Sequence, residues 1–211
     1  MIYLFDRMDT VAERFIMRVL PLLPPSRRAK AMRYKRNIDR DLCVMAYCLL
    51  LYGLKREYGI DEAPVFSYRE NGKPCLAGYP GVFFNLSHCE AGVVCAISDI
   101  EVGIDIQNIQ PGCLDIARNV CTNEELKMLE RSEDPEGVFH GMWTVKESYT
   151  KQTGCGLTEP LNLLSAGALI EQGGDRVFVY RGNEYYICCF GETRCEKISQ
   201  PELEEFVLAS C

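Results

Sequence analysis

Trp143-Thr-Val-Lys-Glu-Ser-Tyr-Thr-Lys151 puts Trp143, Glu147 and Lys151 at i, i+4 and i+8, which on a helix is a single stripe. The same spacing fits an ordinary surface Glu–Lys pair, worth only ~0.3–0.5 kcal/mol. The chain's only tryptophan lies on that stripe, however, and tryptophan is usually largely buried. The stripe is therefore expected to face the interior or a cleft. Gly154 and Gly156 end the helix and let the backbone approach something closely.

Two further segments belong with it. In Gly103-Ile-Asp-Ile-Gln107, alternation puts Asp105 and Gln107 on one face of a strand and Ile104 and Ile106 on the other. An acid in such company must be solvated, paired or bound to a metal, and a strand with one wet face satisfies the first. In Asn85-Leu-Ser-His88, a histidine ends a strand beside Ser87. A lone histidine is most often structural, but its partner can equally be a phosphate oxygen. Two acids, a lysine and a histidine on elements able to share a cleft are the equipment for holding a divalent metal and a polyphosphate.

The rest of the chain sets bounds. With 211 residues and a 47% hydrophobic fraction, it suits one compact domain or two small, closely packed halves with a sizeable core. A formal charge of −7 argues against general nucleic-acid binding. A local exception runs through Arg27, Arg28, Lys30, Arg33, Lys35, Arg36 and Arg40. That run is either a solvated helix face or a docking surface for phosphate or an acidic protein. The twelve cysteines include no C-x-x-C pair, and only His88 and His140 could join them at zinc. Reduced thiols in a cytoplasmic protein are expected, with no secretory segment at the start of the sequence. The longest apolar run, residues 42–54, is too short to cross a bilayer and reads as a buried helix.

Pattern and punctuation organise the chain as follows. A strand covers residues 1–5 and a helix 9–20, ended by Pro21, Pro24 and Pro25. A helix starts near Ser26 and a longer one spans 39–58, closed by Gly59. Residues 65–80 carry turn chemistry in Asn71-Gly72 and Lys73-Pro74, and strands cover 82–87, 92–97 and 102–107. Helices follow at 113–118, from Thr122, and at 136–153, then strands at 177–180 and 185–190. The acidic tail with Glu202, Glu204 and Glu205 reads as a solvated helix. Each half thus has one long helix and several short strands, with no flexible linker. Nothing matches a Walker loop, a dinucleotide fingerprint or a nucleophile elbow.

Four blocks in order, Asn71-Gly-Lys-Pro-Cys75, Phe84-Asn-Leu-Ser-His88, Val102-Gly-Ile-Asp-Ile-Gln107 and Trp143-Thr-Val-Lys-Glu-Ser-Tyr-Thr-Lys151, extended by Gly154-Cys-Gly-Leu157, resemble the signature of 4′-phosphopantetheinyl transferases of the surfactin-synthetase-activating (Sfp) type. The resemblance spans roughly residues 1–160. It implies an α+β fold of two similar, pseudo-twofold-related halves, each a small, mainly antiparallel sheet packed on a long helix. Residues 1–101 and 102–211 would form the halves, with coenzyme A in the cleft between them. The implied activity is that of a holo-[acyl-carrier-protein] synthase. It moves the 4′-phosphopantetheine group of coenzyme A to a serine of an apo acyl or peptidyl carrier protein and releases adenosine 3′,5′-bisphosphate.

The resemblance also assigns roles. Asp105 and Glu147 would ligate Mg2+, which binds carboxylate and phosphate oxygens and keeps waters. Gln107 stands where many relatives have glutamate; an amide oxygen can ligate but brings no charge, so a weak or water-mediated ligand is expected. Lys151 and His88 match phosphate-contacting positions, and Lys73, Pro74 and Ser87 match positions lining the coenzyme site. Arg40 and Arg28 match the grip on its 3′-phosphate. Glu147 is the candidate base for the partner's serine, directly or through a metal-bound water. Glu125 matches a further acidic position whose role can be structural. A docking patch for the carrier is expected between residues 111 and 122. Two halves in one chain make an obligate oligomer unnecessary, so a monomer is expected, without nucleic-acid or membrane partners. A non-catalytic coenzyme A or carrier-binding module has only Gln107 in its favour.

Overall fold

In a computed structural model the described residues are 1–156 and 160–209; the expectation for Leu157 lies outside them. The chain opens with β1 (Ile2–Phe5), α1 (Glu13–Val19), α2 (Pro25–Ala31) and the long α3 (Asn37–Tyr58). A hairpin, β2 (Phe66–Tyr68) and β3 (Pro74–Leu76), precedes β4 (Phe83–Cys89), β5 (Gly92–Ser98) and β6 (Gly103–Asn108). Then come α4 (Ala117–Val120), α5 (Asn123–Arg131), α6 (Pro135–Thr153) and α7 (Ala166–Gly173). Strands β7 (Val177–Arg181), β8 (Tyr185–Phe190) and β9 (Cys195–Lys197) lead to α8 (Gln200–Ala209).

Two sheets lie back to back. One has the order β4-β5-β1-β9, antiparallel except where β9 runs parallel to β1; the other is antiparallel, β6-β8-β7. Strand alternation sorts the side chains into layers. Ile2, Leu4, Val94 and Ala96 of the first sheet meet Ile104, Ile106 and Ile187 of the second in the central core. Tyr3, Phe5, Val93, Cys95 and Ile97 face the other way and pack on α3. Cys188 and Phe190 face α6, in a core with Phe139, Met142 and Val145. The result is helix, sheet, sheet, helix: an α+β fold of two alike halves, each a small, mainly antiparallel sheet on one long helix.

Local chemistry sets the helix limits. Gly59 at φ 67° and Gly154 at φ 75° take the left-handed conformation that closes α3 and α6. Thr122 and Glu125 form a capping box at the start of α5.

Three expectations need correction. Residues 9–20 do not form one helix; α1 is flanked by single 3-10 turns at Met8–Thr10 and Leu20–Leu22, the second containing Pro21. The turn region 65–80 holds a hairpin, with Phe66 opposite Leu76. The acidic tail is not a solvated helix, because Leu203 and Val207 are buried in the core under α3 and the Tyr52 hydroxyl donates to Glu202. With β9 on β1, residues 195–209 cross back and complete the first half. Among the described residues no helix is long and apolar enough to cross a membrane.

Candidate active site

The site is built where α6 lies on β6. Gly103, Asp105 and Gln107 face the helix while Ile104 and Ile106 fill the central core. A Cβ at Gly103 would sit 2.2 Å from the Ser148 carbonyl oxygen and 2.2 Å from the Gln152 amide nitrogen. Only glycine lets helix and strand backbones come this close. That contact carries Glu147 and Lys151 down to Asp105.

Asp105 is only 1% exposed. Its Oδ1 accepts from the Ser87 hydroxyl at 2.7 Å and from Lys151 Nζ at 2.5 Å, while its Oδ2 is buried and has no partner. An unpartnered buried carboxylate oxygen is costly and points to a ligand of positive charge. Half-buried Glu147 has its pKa raised, first by burial and then by the Asp105 charge, with Lys151 opposing. Two carboxylates repelling one another in a half-dry site fit a divalent cation between them. Gln107 follows on the same strand face, half-buried opposite Tyr186. Among the described residues no cluster of three or more His, Cys, Asp or Glu is arranged to hold a metal.

Strand β4 supplies the other wall. Asn85 Oδ1 accepts from Ile104 N at 3.0 Å and Ser87 Oγ from Ile106 N at 3.4 Å, so side chains rather than a ladder satisfy the outer edge of β6. Lys151 Nζ also donates to Ser87 at 3.2 Å. Ser87 therefore joins the two sheets, the aspartate and the lysine. His88 points to the opposite face of β4, into a cavity of about 280 Å³ lined also by Arg27, Lys30, Phe66 and Pro74. Burial, then the Lys151 and Lys30 charges, push its pKa below the usual imidazole value. An anion in that cavity would reverse the last two effects.

The remaining expected residues are placed as follows. Lys73 is buried with Nζ donating to Glu101 at 2.9 Å, the Val102 carbonyl at 3.1 Å and the Gln152 carbonyl at 2.8 Å. Its ammonium fastens the hairpin to the end of α6 and the start of β6, while Pro74 faces the cavity. Arg40 donates to Asp41 at 2.7 Å, and its buried Nη2, without a hydrogen bond, lies 4.0 Å from Glu13; it does not line the cavity. Arg28 is exposed and does not line it either.

Sequence reasoning missed Arg27 and Lys30 at this wall. Arg27 lies over the Tyr47 and Phe66 rings at 5.0 and 5.4 Å, and its Nε is buried without a partner. No local signal separates it from Arg28: the two stand at i−4 and i−3 from Ala31, the buried residue of α2, and both spacings fall on its face. Glu125 proves structural. It is 4% exposed, accepts from Lys146 Nζ at 2.5 Å, Thr122 N at 2.8 Å and Ala166 N at 2.7 Å, and so ties α5, α6 and α7 together. Trp143 packs 5.9 Å from Phe139 in the second half's core, so the stripe does face inward.

A pair of carboxylates with a lysine, beside a cationic cavity at the junction of two α+β halves, suits a protein that handles a phosphorylated ligand. The family model described as the 4′-phosphopantetheinyl transferase superfamily matches residues 101–209. The chain is 32% identical to the 4′-phosphopantetheinyl transferase Sfp of Bacillus subtilis (strain 168), over 70% of this chain and 67% of that protein. It is 28% identical to another 4′-phosphopantetheinyl transferase of Bacillus subtilis over 90% and 92% of the two chains. It is also 30% identical to the yeast (Saccharomyces cerevisiae) L-aminoadipate-semialdehyde dehydrogenase-phosphopantetheinyl transferase, over 76% of this chain and 64% of that one. The chain belongs to the 4′-phosphopantetheinyl transferase superfamily, in its Sfp-type branch, and is a transferase.

Proposed function

We propose that this chain transfers the 4′-phosphopantetheine group from coenzyme A to a serine hydroxyl of an apo carrier protein, with Mg2+, and releases adenosine 3′,5′-bisphosphate. The observation that carries this reading is the partnerless Oδ2 of Asp105 beside Glu147, with Lys151 on the other oxygen. Bound there, Mg2+ would offset the charge that develops on the diphosphate as the phosphorus–oxygen bond breaks. Asp105 and Glu147 would hold it, with Gln107 as a neutral or water-mediated third ligand.

The protein's own groups divide the remaining work. His88, Arg27 and Lys30 hold the nucleotide's phosphates in the cavity, beside Pro74. Lys151, bonded to Asp105 and Ser87, neutralises the diphosphate oxygens. Ser87 orients Asp105 and Lys151. Glu147, its pKa raised by burial and by Asp105, is suited to receive the incoming serine's proton, directly or through water. Arg40, whose Nη2 makes no hydrogen bond, and exposed Arg28 are the candidates for the 3′-phosphate.

The coenzyme cleft is the junction between residues 1–101 and the β6–α6 unit. Exposed Ile116 supports residues 111–122 as the face offered to the carrier. Both walls of the site come from one chain, which supports action as a monomer. Deeply buried thiols such as Cys95 and Cys188 support a reducing, cytoplasmic setting. The test is to incubate the protein with coenzyme A, Mg2+ and a panel of apo carrier proteins and to weigh each carrier. A gain of one phosphopantetheinyl group is expected; nucleotide release without change in any carrier would make the protein a hydrolase instead.

A further inference from the structure

The Lys151–Asp105 contact has a consequence for how the ligands bind. Lys151 Nζ lies 2.5 Å from Asp105 Oδ1 and 3.2 Å from Ser87 Oγ, and Ser87 Oγ is itself 2.7 Å from that same Oδ1. The aspartate is 1% exposed and the lysine side chain 28% exposed. One partner is fixed in the protein, and the other sits on a flexible four-carbon stem at the mouth of the site. Resting on the reading above, a divalent cation ligated by Asp105 would come within a few ångströms of an ammonium already bonded to that carboxylate. At low dielectric two such positive charges cannot share it without strong repulsion.

We propose that Lys151 is the internal rival of the metal for Asp105, and that the substrate's diphosphate relieves the rivalry by taking the lysine. The geometry gives the lysine somewhere to go. It sits in the last turn of α6 and is bonded at 3.2 Å to Ser87 of β4, whose next residue, His88, lines the cationic cavity. An anion bound at His88 therefore offers the ammonium a second partner one residue along β4 from its present one. Metal and coenzyme then bind with positive coupling through one side chain, and linkage makes the effect reciprocal: each tightens the other by the same factor. Without the coenzyme, the lysine holds metal affinity down and protects the aspartate from adventitious cations.

The probe is Mn2+, followed as free aquo-ion by electron paramagnetic resonance in titrations of the full chain with and without coenzyme A, no carrier present. Lys151→Met removes the rival's charge at similar volume. It is expected to bind Mn2+ alone at least about tenfold tighter than the unaltered protein. The factor by which coenzyme A tightens Mn2+ should shrink correspondingly. Lys151→Arg keeps the charge and should bind Mn2+ alone as the unaltered protein does. Lys30→Met removes a cation from the cavity wall that does not touch Asp105, and should change the affinity for Mn2+ alone by less than about twofold. If Lys151→Met binds Mn2+ no tighter, or Lys30→Met gains as much, the rivalry is wrong and only the general field matters. If Asp105→Ala binds Mn2+ as well as the unaltered protein, the metal assignment itself fails, whatever the lysine variants do. Melting curves taken without metal separate unfolding from binding: Lys151→Met should still melt cooperatively, at a lower temperature that Mn2+ restores.

Discussion

The two halves solve the same packing problem with different residues. In the first, α3 lies on β1 and β5 through a dry interface: Tyr3, Cys95 and Ile97 against a helix buried from Leu42 to Leu50. The close approach there uses a glycine on the helix, Gly53, whose Cβ would meet side chains, 2.4 Å from Ile97 Cδ1 and 2.8 Å from Tyr3. In the second, α6 lies on β6 and β8 through a glycine on the strand, Gly103, whose Cβ would meet backbone. That interface is partly polar: Asp105, Thr144, Ser148 and Thr150 are all buried in or beside it. Removing an apolar pair from the first half's dry interface should lower stability first. The second half keeps a buried acid that no packing argument explains, and it is there that we propose the metal chemistry lies. An interface that departs from the dry solution of its twin marks the functional one.

Substitutions that act on one half and spare the other sharpen this contrast. The largest effect is expected from Asp105→Ala and Glu147→Ala: carrier modification should fall by at least about 10²-fold, as loss of a metal ligand worth several kcal/mol requires, with circular dichroism unchanged. Normal turnover in either would leave the polar interface without a catalytic role. Next come the two glycines. Gly103→Ala forces backbones apart and should cost about 1–3 kcal/mol in urea unfolding while also lowering kcat, because α6 carries Glu147 and Lys151. Gly53→Ala meets the buried Ile97 methyl and Tyr3 ring; it should also cost about 1–3 kcal/mol, but with kcat intact. Equal loss of kcat in both would show that the halves are not functionally distinct.

A subtler effect concerns Glu147. Its pKa is raised in the folded protein by burial and by Asp105, so the folded state binds that proton more tightly than the unfolded chain does. The stability this brings is present at acid pH and is lost as pH rises through the raised value. At neutral pH the ionised carboxylate is a net cost, so Glu147→Gln should melt a few degrees higher at pH 7 without ligands, and the gain should disappear towards pH 4. A lower melting temperature at pH 7 would contradict the strained pair. The smallest change is expected from Gln107→Glu, which adds a charged oxygen beside the same site: turnover at saturating Mg2+ should stay level or rise, and a large loss would remove Gln107 from the metal's surroundings.

Much of this was legible in the chain because the decisive signals are periodic and local. The alternation of Gly103 to Gln107 and the four-residue stripe from Trp143 to Lys151 each fix a face, and placing the two faces together needs only the glycine. The parts that were not legible depend on distance along the chain or on phase. Strand β9 is three residues long and pairs with β1, Ile2 opposite Cys195, so nothing near it announces a strand. The tail's acids drew attention away from Leu203 and Val207, spaced i, i+4, which bury α8. Lys73 looked like a ligand-facing turn residue, but three acceptors engage its ammonium, a fact set by where α6 ends. In the basic run, composition alone could not separate Arg27 from Arg28; only the Tyr47 and Phe66 rings, brought in from α3 and β2, single out Arg27.

On this proposal the interface between α6 and β6 binds a dication together with a diphosphate. The most direct measurement is a crystal structure with coenzyme A and Mn2+, recorded at a wavelength where manganese scatters anomalously. One strong anomalous peak is predicted between Asp105 Oδ2 and the Glu147 carboxylate, within bonding distance of both and of the coenzyme's diphosphate. A coenzyme seated with its diphosphate away from these carboxylates, and manganese elsewhere or absent, would contradict it.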